Sequence, residues 1–176
     1  MQRSRITADA QFRARLVDMI PQIRAVALVL TADDELANSL TQKTVLRALN
    51  DSAQFSQKIN FKAWCLAFLH QAYCDLPRSQ RVSGDTHSLS TGEGDHSEEF
   101  RAAFWRLSPS QREILILTRD HQLSQADIAH VRACSAEQIK RQTTRARNAL
   151  KAILTEIAAG NHPREHTLGN RTSPSR

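Results

Sequence analysis

The chain has 176 residues, 40% of them hydrophobic and 24% charged, with a formal net charge of +6, which is enough apolar content for one packed domain or two small ones. The charge is uneven: residues 100–153 hold ten Lys and Arg against four Asp and Glu, residues 10–76 hold seven against six, and residues 77–99 hold two against five, so the basic excess points to a polyanionic partner rather than to general solubility. Three scattered cysteines without a C-x-x-C pair exclude a disulfide framework. No apolar run approaches the roughly 18 residues of a membrane span, and no Gly-rich phosphate loop, H-E-x-x-H or G-x-S-x-G motif is present.

These absences describe a cytoplasmic chain with reduced thiols at Cys65, Cys74 and Cys134. They lead us to expect no enzymatic activity, cofactor, metal, membrane contact or small-molecule substrate. Residues 1–9 are polar and are expected to be disordered. From residue 10, Phe12, Leu16, Val17, Met19 and Ile20 follow helical spacing, and Pro21 is expected to end or restart the helix before Ile23, Val26, Ala27, Leu28 and Leu30 continue it. Thr31 or Asp33 can cap the next helix, whose predicted apolar face is Leu36, Leu40, Val45, Leu46 and Leu49, with Asp33, Asp34 and Glu35 at its start. Asn60 can cap another helix through Phe61, Trp64, Cys65, Phe68, Leu69, Ala72 and Leu76, which Pro77 stops. The aromatic residues Phe61, Trp64 and Phe68 share its apolar face and read as core.

Residues 77–97 are nearly devoid of apolar side chains and read as a flexible linker. By random-coil scaling, such a linker holds two domains about 25 Å apart. Its acidic residues Asp85, Glu93 and Asp95 could also shield a basic surface. The second domain, residues 98–156, opens with Phe100, Ala103, Phe104 and Leu107, followed by a helix capped at Ser108 with Pro109 first and Gln111 third. Ile114, Leu115 and Leu117 are its predicted inner face.

Two further capping boxes follow within twelve residues, Ser124 with Asp127 and Ser135 with Gln138. Two helix starts this close require a tight turn, and the pattern is a helix-turn-helix. Ile128, Ala129, Val131, Ile139, Ala146 and Leu150 can face inward, leaving Glu137, Lys140, Arg141, Thr144, Arg145 and Asn148 outside. In the DNA-binding form of the motif the second helix enters the major groove with its N-terminal side chains on base edges. Lys140 and Arg141 occupy those positions, with Ser135, Glu137 and Gln138 beside them. Arg can take guanine bidentately, Glu137 can accept from cytosine N4, and Thr144, Arg145 and Arg147 can reach phosphates. Residues 157–176 are expected to be a disordered tail, in which His162 and His166 do not suggest a metal site.

The order of these elements, with "IPQIRAVALVLT" at 20–31, "LTQKTVLRAL" at 40–49, "NFKAWCLAFL" at 60–69 and "LSPSQREILIL" at 107–117 ahead of the helix-turn-helix, resembles the extracytoplasmic-function class of bacterial sigma factors. The arginine after the proline, the surroundings of Trp64 and the "QREILIL" phrase look most like its general-stress-response group. The resemblance implies an all-α protein of two small helical domains joined by a flexible linker. Residues 10–76 would bind the beta-prime clamp of RNA polymerase core and the −10 promoter element; residues 98–156 would read the −35 element. It also implies control by an anti-sigma factor, whose apolar helix could dock between the domains.

The sequence departs from the family at two surfaces. Where the family has an acidic pattern facing the polymerase, this chain has Asn38, Ser39, Gln42 and Lys43, followed by Arg47, which weakens electrostatic complementarity at the implied polymerase-binding face. At the implied −10 surface stand Lys62, Gln71 and Tyr73. Gln71 can hydrogen-bond a base, and Tyr73 can either stack on one, a contact of about 1–3 kcal/mol, or belong to the helix's packing face. The loss of carboxylates at positions 38, 39 and 43 also raises an alternative, a sigma mimic that sequesters an anti-sigma factor without productive polymerase binding. A second alternative, a regulator using residues 98–154 alone, leaves the first 76 residues unexplained.

Overall fold

The computed structural model describes residues 2–56, 58–81, 95–120 and 122–160. The implied linker core at 82–94, including Asp85 and Glu93, and the tail from 161 with His162 and His166 lie outside the described residues. Every regular element described is helical. The first half consists of α1 (Gln2–Thr31), α2 (Asp34–Asn50), a single 3-10 turn (Ser52–Gln54), α3 (Phe61–Cys74) and the one-turn α4 (Arg78–Arg81). The second half is α5 (Asp95–Trp105), α6 (Pro109–Arg119), α7 (Gln125–Val131) and α8 (Ala136–Gly160).

Two boundary expectations are corrected. Helical backbone runs back to Gln2, so residues 2–9 are not an unstructured lead-in; the stretch has no Gly or Pro to stop the helix. Nor does Pro21 divide α1, which passes through it as one helix. The lost donor at Pro21 frees the carbonyl of Val17, and both residues are exposed, so water can satisfy the freed group. The linker and tail expectations are also shortened, because 78–81 is a helical turn, α5 starts at Asp95, and α8 continues to Gly160.

The caps form as the sequence predicts. Asp33 accepts from Leu36 N at 2.8 Å, and Asn60 accepts from Lys62 N and Ala63 N. Ser108 with Gln111, Ser124 with Asp127 and Ser135 with Gln138 close reciprocal capping boxes. Between α1 and α2, Ala32 takes a left-handed φ of 54°, and in the helix-turn-helix Ala133 takes one of 48°. Both turns reverse the chain with non-glycine residues in a region that costs an alanine about 1–2 kcal/mol.

In the first half, α1 and α2 lie side by side with α3 across them. Leu16, Ile23, Ala27 and Leu30 meet Ala37, Leu40, Thr44 and Ala48 and the α3 residues Trp64, Leu66 and Leu69. Phe12, Phe55, Phe61 and Trp64 form an aromatic cluster at one end, with Phe12 edge-on to Phe61 at 5.4 Å. The predicted inner face of α2 needs correction: Leu46 is 54% exposed and Leu49 37%, while Ala37, Thr41, Thr44 and Ala48 are buried. Val17 of α1 is 61% exposed. The Thr41 and Thr44 hydroxyls donate to the carbonyls four residues back, at 2.7 and 2.8 Å, which makes them compatible with burial.

The two halves are not held apart. α6 packs on α1 and α7 on α3, and one continuous set of buried side chains runs from Leu16 through Leu69 to Ile114, Leu117, Ile128 and Ile139. The 25 Å separation expected from linker statistics gives way to direct packing, since apolar surface buried between the halves is worth about 25 cal/mol per Å² and opposes the tether entropy.

Candidate nucleic-acid interface

α6, α7 and α8 form the helix-turn-helix and its support. Ile128, Val131, Ile139 and Ala146 are buried, as predicted, and Thr143 joins them, its hydroxyl donating to Ile139 O at 2.8 Å. The turn from Arg132 to Ser135 is closed by Cys134 N donating to Ala129 O at 3.0 Å. Ser135, Glu137, Gln138, Lys140, Arg141, Thr144, Arg145 and Arg147 are all exposed along α8. Between Gln138 and Ile153 the helix carries five basic and no acidic side chains, and α8 has no extensive packing against the first half. This is a free cationic face of the dimensions of one helix. Arg147 stands at its edge, where with Arg119 it rims an apolar groove of about 510 Å³ lined by Phe100, Phe104, Leu115, Ile116 and Leu150. The Arg106 guanidinium holds Glu156 at 3.0 Å and so fastens α5 to the far end of α8.

The implied −10 residues fare differently. Gln71 is exposed on α3. Tyr73 is buried, its hydroxyl 3.4 Å from Arg81 O, and burial pushes its phenol above the ordinary value against the pull of Arg112 and Arg81. A ring in this position packs the core rather than stacking on a base, so of the two roles open to Tyr73 the packing one describes this structure. Lys62 is neither free nor core: its ammonium pairs with the Asp120 carboxylate and lies 3.4 Å from Gln122 Oε1, both from the second half. Beside it, Asn60 Nδ2 donates to Gln122 O at 2.7 Å.

At the implied polymerase face, Asn38, Gln42, Lys43 and Arg47 are exposed on α2 and Ser39 is half-buried. Asn38 is pinned by Arg24 Nε at 2.8 Å, and the same guanidinium holds Asp34 at 2.6 Å. Arg47 lies over the Phe68 ring at 5.1 Å and reaches Asp51 at 3.7 Å, so it also braces α2 against α3.

Sequence reasoning missed the polar residues of the seam. Arg112 and Glu113 end the polar stretch 108–113, just ahead of the apolar run 114–117, and are nevertheless buried. Arg112 donates to Val29 O at 2.8 Å and Leu107 O at 2.9 Å, and also reaches Trp105 O and Leu30 O. It thus caps the last carbonyls of α1 and the end of α5 together, and burial lowers its pKa from the usual guanidinium value. Glu113 pairs with Arg132 of its own half and with His70 Nδ1 of α3 at 2.8 Å. Their local sequence is polar and gave no signal of burial, because an ionised side chain is buried only with a fixed partner, and these partners lie elsewhere in the chain. Among the described residues, no three His, Cys, Asp or Glu side chains gather into a metal site, and no helix is long and apolar enough to cross a membrane.

Comparison with known proteins decides the family. The Sigma-70 region 4 family matches residues 103–152. The chain is 33% identical over 152 residues to the ECF RNA polymerase sigma factor EcfG of Rhodopseudomonas palustris (strain TIE-1), covering 81% of this chain and 84% of that protein. The chain belongs to the extracytoplasmic-function sigma factors. It is also 32% identical over 130 residues to the ECF RNA polymerase sigma factor SigC of Mycobacterium tuberculosis, covering 66% of this chain and 69% of that one. In fold it is similar to the sigma factor RpoE of Bartonella quintana, solved in complex with the anti-sigma factor NepR, at a TM-score of 0.68 and 29% identity over 82% of this chain and 97% of that one. CnrH, solved with the cytosolic domain of CnrY, shares the fold at a TM-score of 0.57 and 20% identity over 86% of this chain and 94% of that one. As an ECF sigma factor the protein acts in transcription initiation with RNA polymerase and promoter DNA, through an all-α two-domain architecture.

Proposed function

We propose that this ECF sigma factor directs RNA polymerase core to stress-type promoters, with α8 reading the −35 element and the α2–α3 surface meeting the beta-prime clamp and the −10 element. The observation that carries the reading is the exposed, one-sided cationic face of α8, in which Lys140 and Arg141 stand at the groove-entering end and Thr144, Arg145 and Arg147 follow along the helix. Ser135, Glu137 and Gln138 complete the end presented to bases. Asn38, Ser39, Gln42, Lys43 and Arg47 form the polymerase-facing surface, and Lys62 and Gln71 form the −10 surface. An anti-sigma factor holds the protein inactive, a reading supported by the solved neighbour bound to NepR. The protein works in the cytoplasm, uses no cofactor and catalyses no reaction of its own.

A second reading is favoured by one specific observation: Asn38, Ser39 and Lys43 leave the α2 face without the carboxylates that complement a basic partner. On that reading the protein is a mimic that sequesters an anti-sigma factor. One experiment separates the two. Purified protein is mixed with RNA polymerase core and assayed for co-elution, then for transcripts from a stress-type promoter. Co-elution with promoter-dependent transcripts is expected; no co-elution, with a NepR-type anti-sigma factor still bound, would establish the mimic.

A further inference from the structure

The C-terminal end of α3 carries a group of reactive side chains that promoter reading does not use. His70 and Cys74 stand four residues apart and so share one face of the helix. Cys74 Sγ lies 3.6 Å from His70 Nε2. On its other side the imidazole meets a fixed carboxylate, with Nδ1 at 2.8 Å from Glu113 Oε1. The Glu113 side chain is 3% exposed, and its second oxygen is held by Arg132. An ionised carboxylate only accepts hydrogen bonds, so Nδ1 carries the hydrogen and donates it to Glu113, which leaves the Nε2 lone pair to face the thiol. The order thiol, imidazole, buried carboxylate is that of a nucleophile, its base and the group that orients the base.

Cys74 is exposed, whereas Cys65 is buried and Cys134 half-buried. Partial desolvation nevertheless holds the Cys74 thiol above its ordinary value, with Glu113 and Asp75 adding to the effect and Arg81 and Arg132 opposing it. The sulfur therefore keeps its proton at neutral pH until a base removes it. His70 is the base in contact with it.

We propose that Cys74 is an oxidation site for hydrogen peroxide, with the Glu113-held His70 taking the thiol proton. The class of reagent follows from the base. His70 returns the proton it takes, and an oxygen leaving group needs that proton, whereas a halide departs without one. The sulfur attacks one peroxide oxygen, an S–O bond forms, the O–O bond breaks, and the thiol proton passes through Nε2 to the departing hydroxide, which leaves as water. Cys74 is oxidised by two electrons to a sulfenic acid and the peroxide is reduced to water. The chemistry is independent of the assignment of α3 to the −10 element.

The test treats the reduced full chain with hydrogen peroxide in the presence of dimedone, and peptide mass spectrometry follows the sulfenic acid adduct at Cys74 and, in the same molecules, at Cys134. Proton transfer by a positioned side chain contributes about 100- to 10,000-fold in enzyme sites; without a substrate pocket, labelling of Cys74 at least about tenfold faster than of Cys134 is expected. His70→Asn keeps an amide N–H for Glu113 but cannot take the thiol proton, so in that variant the Cys74 rate should fall to that of Cys134 while the thermal transition stays in place. Cys74 of the unsubstituted chain should also react more slowly in guanidinium chloride than in the fold, at the same pH. Unfolding only adds exposure, so this comparison separates activation from access and decides the matter even if the variant fails to fold. Equal rates at the two thiols of the folded chain would overturn the proposal. So would a folded His70→Asn variant that keeps the fast rate, or a Cys74 that reacts as fast in denaturant as in the fold.

Discussion

Replacing Arg112 with Met should cost the protein about 3 kcal/mol, working from two short charged hydrogen bonds at about 1.5–3 kcal/mol each and discounting for the relief of burying a cation. Met preserves most of the volume and removes every donor. The carbonyls of Val29 at 2.8 Å and Leu107 at 2.9 Å lose their partner, as do those of Trp105 and Leu30, and the guanidinium no longer lies 4.8 Å from the Trp105 ring. These carbonyls end two helices from different halves and have no next turn to satisfy them. For a chain of this length, 1 kcal/mol moves the melting temperature by about 2–4 °C, so a fall of about 6–12 °C is expected by calorimetry. The transition should also broaden or split, because the side chain joins α1 to the α5–α6 corner. A fall below about 2 °C, under 1 kcal/mol, with a single sharp transition would refute the argument, because water would then be serving those carbonyls equally well.

Four other outcomes follow from the same structure. Lys140→Ala with Arg141→Ala should weaken −35 duplex binding and lower the slope of log K against log salt by up to about 2, at roughly 0.9 per phosphate contact; an unchanged slope with unchanged affinity removes α8 from the interface. Lys43→Glu should tighten binding to polymerase core in a pull-down titration if α2 faces the clamp, and should do nothing if the protein is a mimic. Ala133→Gly should stabilise the helix-turn-helix by about 0.5–1 kcal/mol, the left-handed penalty less the added chain entropy of glycine, seen as a rise in denaturation midpoint at unchanged m. Finally, burial pushes the Cys65 thiol from 9.0 up to about 12, with the Arg15 charge opposing. The folded thiol stays neutral while the unfolded one ionises, so its contribution is complete below pH 9.0 and is lost as pH rises towards 12, at about 1.4 kcal/mol per pH unit. The Cys65→Ala variant should show a correspondingly shallower loss of stability over that window.

The helix-turn-helix was legible residue by residue because its determinants are local. Three hydroxyl caps, each with a side chain three residues on, fix where α6, α7 and α8 begin, and a 3.6-residue period then dictates which side chains point outward. The first-half helices were legible for the same reason, apart from the faces of α1 and α2. Leu46, Leu49 and Val17 were placed inward because they are apolar, yet the close approach of α1 and α2 is filled by Ala27, Ala37, Ala48 and two threonines. Small residues let the helices come together and leave the larger ones at the margin.

The sequence by itself determined an all-α chain, the positions of its helices and a cationic recognition helix, since caps, periodicity and charge all act within a few residues. Only the tertiary structure decided that the halves close on one another, that Arg112 and Glu113 turn inward, and that Asp120 and Gln122 lie on Lys62. Those contacts join residues 43 to 83 positions apart, or 58 in the case of Lys62 and Asp120. Their energies depend on burial and on partners that neither segment carries in its own pattern. Arg112 in a solvated helix would be one more surface cation; between the last carbonyls of α1 and α5 it fastens the two halves together.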